Sequence, residues 1–215
     1  MPLLAVQQVA SDSYFDIISK GGPILIPIAI LSLVAVFVIF DRLIVLRKSL
    51  KEDNSSFLYE VKQLVATGKS NEAIQFCEKQ NTPTALVISE GLHFLNYSIE
   101  DIKEAMEVKS REALQILENR MTLLSLVASV APMLGFLGTI MGVIKIFYTI
   151  SITDNLSIGT ISDGLYQKMI CSAAGLLVGI VAFIGYHLLN RSIDRAASRM
   201  EKVGNEFIFF LKKGR

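Results

Sequence analysis

Charge is missing from three long stretches of this chain. Residues 21–40, 121–144 and 169–190 contain no Asp, Glu, Lys or Arg. Each is about 20 residues or more, enough helix to cross about 30 Å of hydrocarbon. With 52% hydrophobic residues in 215 and a mean hydropathy of +0.49, the composition excludes an ordinary soluble domain. Cysteine is scarce. Cys77 and Cys171 fall in different kinds of segment, so they read as reduced packing residues and not as a disulfide or a thiolate metal pair. The two histidines, His93 and His187, show no ligand spacing, and no metal or cofactor is expected. A net charge of +1 gives no attraction to nucleic acid. The opening MPLLAVQQVASDSYFD lacks Lys and Arg, which argues against a cleaved signal peptide. No nucleophile, base and orienter stand together, so an enzyme is not expected.

These charge-free stretches hold no carboxylate; the nearest are Asp41, at the inner end of the first span, and Asp163, near the outer start of the third. A proton crossing hydrocarbon uses a titratable relay of Asp, Glu or His, and His187 alone makes no chain across the membrane. If protons pass here, another polypeptide supplies the acid.

What charge there is sets a topology. Lys20 is the one basic residue before the first span, whereas Arg42, Arg47, Lys48 and Lys51 follow it. The tail holds Arg191, Arg195, Arg199, Lys202, Lys212, Lys213 and Arg215. Both assignments by the positive-inside rule put the N-terminus outside and the C-terminus in the cytoplasm. The expected organisation is an outer interfacial amphipathic segment at 1–20, with spans at 21–44, 121–152 and 163–190. A cytoplasmic helical region at 45–120, a short outer loop at 153–162 and a cytoplasmic C-terminal helix at 191–215 complete it. Arg42, Arg47 and Lys48 read as topology determinants that meet anionic lipid.

Between Lys51 and Arg120 apolar residues recur at helical spacing. Phe57, Val61, Leu64 and Val65, then Ala73, Ile74 and Cys77, predict a helical hairpin punctuated by Gly68 and ended at Asn81–Thr82–Pro83. Thr84 to Arg120 predicts one long amphipathic helix, kinked at most near Asn96 to Ser98. Its apolar stripe needs a partner surface, most simply a second copy of the chain. Ile193, Met200, Val203, Phe207 and Leu211 predict that the third span continues as helix beyond the membrane, packing beside the other cytoplasmic helix.

The second span, SVAPMLGFLGTIMGVIKIFYTI, carries Gly135, Gly138 and Gly142, and the third, SDGLYQKMICSAAGLLVGIVAFIGYH, carries Ser172, Gly175 and Gly179. GxxxG spacing permits close helix approach, and Pro132 either bends its helix or frees carbonyls for new partners. Two readings of Thr139 stand: a hydroxyl bonded back to the carbonyl one turn earlier, or a polar layer shared with Ser172. Lys145 is expected to snorkel or to pair with Asp154 or Asp163 at the outer rim.

SVAPMLGFLGTIMG followed by GLYQKMICSAAGL resembles the paired signature of ExbB and TolQ and, more distantly, MotA. The likeness is close in spans two and three; elsewhere it is one of layout. It implies an all-α, three-span pentameric bundle in the bacterial inner membrane, with long cytoplasmic helical extensions. The bundle would house single-span helices of an ExbD/TolR-like partner whose aspartate carries the proton. It matches Thr139 and Ser172 to the family's two threonines flanking that aspartate. Gln167 and Lys168 stand at the outer entrance where ExbB and TolQ have Glu followed by Ala. That departure leaves three possibilities: the acid is dispensable, the entrance is modified, or coupling is not to protons. A Lys168 facing the pore would repel cations. The resemblance implies a motor subunit of the ExbB kind, working with a TonB-like protein to energise outer-membrane uptake. TolQ-like envelope maintenance and a non-conducting scaffold remain as alternatives.

Overall fold

The computed structural model describes residues 23–50, 54–153 and 158–214; the side chains of residues 48–50, 54–55, 153, 160, 163 and 167 are outside that description. The segment at 1–20 and the centre of the 153–162 loop also fall outside it. The described residues form seven α-helices and no strand. They are α1 (Leu25–Leu50), α2 (Asn54–Ala66), α3 (Ser70–Gln80), α4 (Pro83–His93), α5 (Ile99–Glu118), α6 (Met121–Thr153) and α7 (Ile158–Gly214). The protein is all-α, and α1, α6 and α7 are long and apolar enough to cross a membrane. The chain divides into two compact units, 1–39 with 122–186 and 40–121 with 187–215.

The second unit is a bundle of α2 to α5 with the C-terminal part of α7. Its core joins Phe57, Val61, Cys77, Ile88, Ile102, Met106, Met200 and Phe207. The α2–α3 turn falls at Gly68, whose φ of +75° favours a residue without Cβ. Asn81, at φ 49°, ends α3 in the left-handed conformation that Asn tolerates. Thr82 then caps α4, accepting from the Ala85 amide, with Pro83 opening the helix. The buried stripe Leu189, Ile193, Ala196, Met200, Val203, Phe207, Leu211 repeats every three or four residues, which keeps one face of α7 on this core.

The single helix expected from Thr84 to Arg120 is instead two. It stops at His93, and α5 starts after Ser98, where a capping box operates. The Ser98 hydroxyl oxygen accepts from the Asp101 amide at 3.1 Å, and the Asp101 carboxylate accepts from the Ser98 amide at 3.1 Å. Four orphan amides open any helix, and this pair satisfies two of them, so a new start here is stabilised over a kink. The two helices fold back as a hairpin, with Gly91 lying against Met106. The partner surface for the α5 stripe is thus supplied inside the chain.

A second interruption separates α5 from α6 at Asn119 and Arg120, the latter at φ 66°. The side chain that holds it comes from α1. Arg42 donates to the carbonyls of Ile116 at 3.1 Å and Leu117 at 3.5 Å, groups that a helix end leaves without amide partners. The same guanidinium pairs with Asp41 at 2.9 Å, and Arg120 meets that carboxylate at 3.1 Å. Arg42 is 7% exposed, so it is a buried capping residue and not the lipid-facing charge that its position after span one suggested. Arg42→Met is expected to destabilise the purified chain by on the order of 1–3 kcal/mol, because it strands buried carbonyls. Thermal unfolding in detergent checks this against Arg47→Met, at an exposed position, which should leave the transition unmoved.

Candidate functional site

In the first unit α6 and α7 run antiparallel and touch along their glycines. A Cβ built on Gly175 would stand 2.5 Å from the Ala131 carbonyl oxygen and 3.0 Å from the Gly135 Cα. One on Gly135 would stand 3.0 Å from the Cys171 carbonyl oxygen and 3.1 Å from the Ser172 Cα. These neighbours are backbone and cannot swing aside, so Gly175 requires glycine and a Cβ at Gly135 would push the two main chains apart by a few tenths of an ångström. Gly138 lies against the Cys171 side chain and Gly142 against the stem of Lys168. The glycines of the two spans therefore meet each other within one chain, a pairing that spacing alone does not specify.

Pro132 belongs to the same seam. A proline has no amide hydrogen, so the carbonyl of Ala128 loses its donor in the helical ladder. Gly179 faces this place: a Cβ there would meet the Pro132 ring at 2.5 Å and the Ala128 carbonyl oxygen at 3.2 Å. α1 completes the unit, with Ile39 filling the notch at Gly185 and Ile24 beside Gly138.

Packing fixes the register of the two predicted hydroxyls. Gly135 abuts Ser172, Gly138 abuts Cys171 and Gly142 abuts Lys168, so Thr139 and Ser172 differ in level by two or three residues, roughly 4 Å. At 100° per residue both fall on the flank of the seam that carries Pro132, opposite Gly138 and Cys171. Both are half-buried. The Thr139 hydroxyl donates to the Phe136 carbonyl at 2.6 Å, the back-bond that mid-helix threonines make. Its oxygen keeps acceptor capacity, whereas donating elsewhere means releasing that bond.

Lys168 is half-buried and Lys145 exposed. The acids named for Lys145, Asp154 and the side chain of Asp163, lie outside the described residues, as does the side chain of Gln167. Around the seam Met133, Phe136, Leu137, Ile140, Leu176, Leu177, Ile180 and Phe183 are all exposed. This is far more apolar surface than water tolerates, as expected of helices that meet lipid or other helices. Cys77 and Cys171 are both fully buried. Among the described residues no group of three or more His, Cys, Asp or Glu stands together to hold a metal.

Comparison with known proteins decides the family. The family model described as the MotA/TolQ/ExbB proton channel family matches residues 79–202. The chain belongs to this family. Among its relatives is an ExbB homolog of Methanothermobacter thermautotrophicus, a biopolymer transport protein by name. It is 23% identical over 188 residues, 87% of this chain and 67% of that one. The biopolymer transport protein exbB1 of Vibrio cholerae is 36% identical over 84 residues, covering 39% of this chain and 37% of its own. The Tol-Pal system protein TolQ of Haemophilus influenzae is 27% identical over 115 residues, covering 54% and 50%. The matches thus span between about a third and two thirds of these relatives' lengths. The family is one of proton channels, not of enzymes, and with three apolar helices this member is a multi-pass membrane protein.

The α6–α7 seam gives a direct stability test. Gly175→Ala is expected to cost about 1–3 kcal/mol, the range for overpacking a tight contact. Gly204→Ala, where a Cβ would meet only the Met106 methyl at 3.4 Å, should be neutral or gain up to about 1 kcal/mol from helix propensity. Denaturant titration of the detergent-solubilised variants separates the two.

Proposed function

We propose that the chain is the channel-forming subunit of an inner-membrane motor that turns the proton gradient into work on the cell envelope. It forms a homo-oligomer, a pentamer on the family pattern, with the N-terminus outside and the C-terminus in the cytoplasm. An ExbD/TolR-like single-span partner supplies an intramembrane carboxylate, and a TonB-like protein carries the work to outer-membrane uptake. Pro132 and the five glycines of the seam hold the two pore-forming helices together, while Gln167 and Lys168 stand at the outer entrance.

The observation that carries this reading is the shared level and flank of Thr139 and Ser172, beside a seam formed by helices whose charge-free stretches, 121–144 and 169–190, hold no carboxylate. Such a pair can serve a neighbouring acid in both protonation states. A neutral carboxyl donates its proton to the Thr139 oxygen while the back-bond to Phe136 stays in place. When the acid ionises, a hydroxyl that leaves its back-bond gives up about 1 kcal/mol and gains a charge-assisted bond roughly twice as strong. Ser172 keeps the same chemistry with one methyl fewer than the family's threonine. The acid then has comparable partners in either state, which lets a proton dwell and leave.

The similarity to TolQ over about half the chain supports a second reading, in which the same motor maintains the envelope. The two share the proton path and differ only in the proteins that take up the work.

Thr139→Val tests the proton path. It keeps shape and removes the hydroxyl, so proton flux through proteoliposomes holding the native complex should fall roughly tenfold or more. That is the loss of one hydrogen bond to a charged group, about 1.5–3 kcal/mol. Assembly should be unchanged and Ser172→Thr should keep its flux. Undiminished flux in Thr139→Val would refute the proton path, and a wild-type complex without flux would favour a scaffold.

A further inference from the structure

Lys168 is an unusual residue to find on a helix seam. The volume that a side chain at Gly142 would occupy is filled by the Cγ, Cδ and Cε of Lys168. Its stem is therefore laid across α6 and is not free to extend along its own helix. The residue is half-buried, whereas Lys145, about three residues further along by the register of the seam, is exposed. Lys145 is thus free to reach lipid headgroups by snorkelling; Lys168 is held.

Among the side chains described in this unit there is no carboxylate to pair with Lys168. The side chain of Asp163 lies outside the described residues. The titratable groups nearest in position on the packed helices are Lys145 and Tyr148 of α6, both exposed, and Tyr166 and Cys171 of α7; residues 23–39 carry none. None of these supplies a negative charge. A lysine held within a membrane protein is costly and gains from an anion brought beside it.

The same register says where. Lys168 precedes Ser172 by four residues and its stem crosses Gly142, three residues beyond Thr139. Its charge therefore lies about one helical turn, roughly 5 Å along the axis, outward of the hydroxyl layer.

We propose that Lys168, seated in the notch of Gly142, is a positioning residue whose ammonium is the counter-charge for a carboxylate that a partner helix brings to the Thr139–Ser172 layer. It would favour the ionised form of that acid. The inference rests on the proton-path reading and adds to it the residue that sets the working pH. It also assigns Lys168 a function different from excluding cations at the mouth: it tunes the acid that the departure from Glu-Ala leaves without a neighbouring carboxylate.

The test is the pH profile of proton flux in proteoliposomes of pure phosphatidylcholine containing the complex isolated from its own membranes. Lys168→Met keeps the stem and removes the charge; Lys168→Arg keeps both. An acid relieved of its counter-charge protonates at higher pH, so half-maximal flux in Lys168→Met should move up by about one to two pH units, while Lys168→Arg stays at the wild-type value. Lys168→Gln should move with Lys168→Met and stands in for it if the Met variant does not assemble. Wild-type flux with no shift in the neutral variants would overturn the inference and leave the proton path standing. A shift that appears only when phosphatidylglycerol is added would assign the cation to headgroup phosphate and likewise overturn it. Absence of flux in the wild-type complex would instead remove the proton-path reading itself.

Discussion

Everything described in the first unit depends on α6 and α7 touching backbone to backbone. With Ala131 carbonyl, Gly135 and Gly175 in direct contact, no side chain separates the helices at that level, and dispersion between the two main chains replaces the hydrophobic effect that lipid cannot supply. The approach has consequences in both directions from the seam. On one flank it sets Thr139 and Ser172 at nearly one level. Toward the C-terminal end of α6, it creates the notch at Gly142 that takes the stem of Lys168. Away from the seam it turns Phe136, Leu137, Leu176 and Ile180 outward, leaving wide apolar faces for lipid and neighbouring helices.

The second unit obeys a different rule. Its helices are short, their ends are numerous, and several are satisfied by a side chain or a left-handed residue: Gly68, Asn81, Thr82, the Ser98–Asp101 box, and Arg42 on the carbonyls of α5. Its core is ordinary aliphatic and aromatic packing around Phe207 and Met106. The long α7 contributes to both units, first by small residues against α6 and later by large ones against α4 and α5. The change of residue size along one helix follows the change of neighbour.

Much of this was legible in the sequence where the cause is local. Gly68 and Asn81–Thr82–Pro83 announce turns by their own conformational preferences, and the stripe from Ile193 to Leu211 announces a helix by its period. The break at Ser98 was also legible, since Ser-x-x-Asp ahead of an apolar-periodic run is a helix start; the periodic stripe on either side hid it. The break at Asn119–Arg120 was not, because it is held by Arg42, which lies 74 positions away from Ile116. The glycine stripes announced close approach but not to what, since spacing on one helix says nothing about which helix faces it. For the candidate site, a polar layer shared by Thr139 and Ser172 was legible in the spans as one of two readings, and their role beside a partner's aspartate only through resemblance. The notch that holds Lys168 is a property of two helices together and has no signature in either.

The central claim is that this chain provides hydroxyls, a cation and a close-packed frame, and borrows its acid. The most direct measurement is mild extraction of the tagged chain from its native membrane, with native mass spectrometry of the intact assembly. The expected result is a ring of identical chains holding a smaller number of single-span polypeptides, each with an Asp or Glu inside its apolar segment. An assembly containing only copies of this chain would contradict the claim.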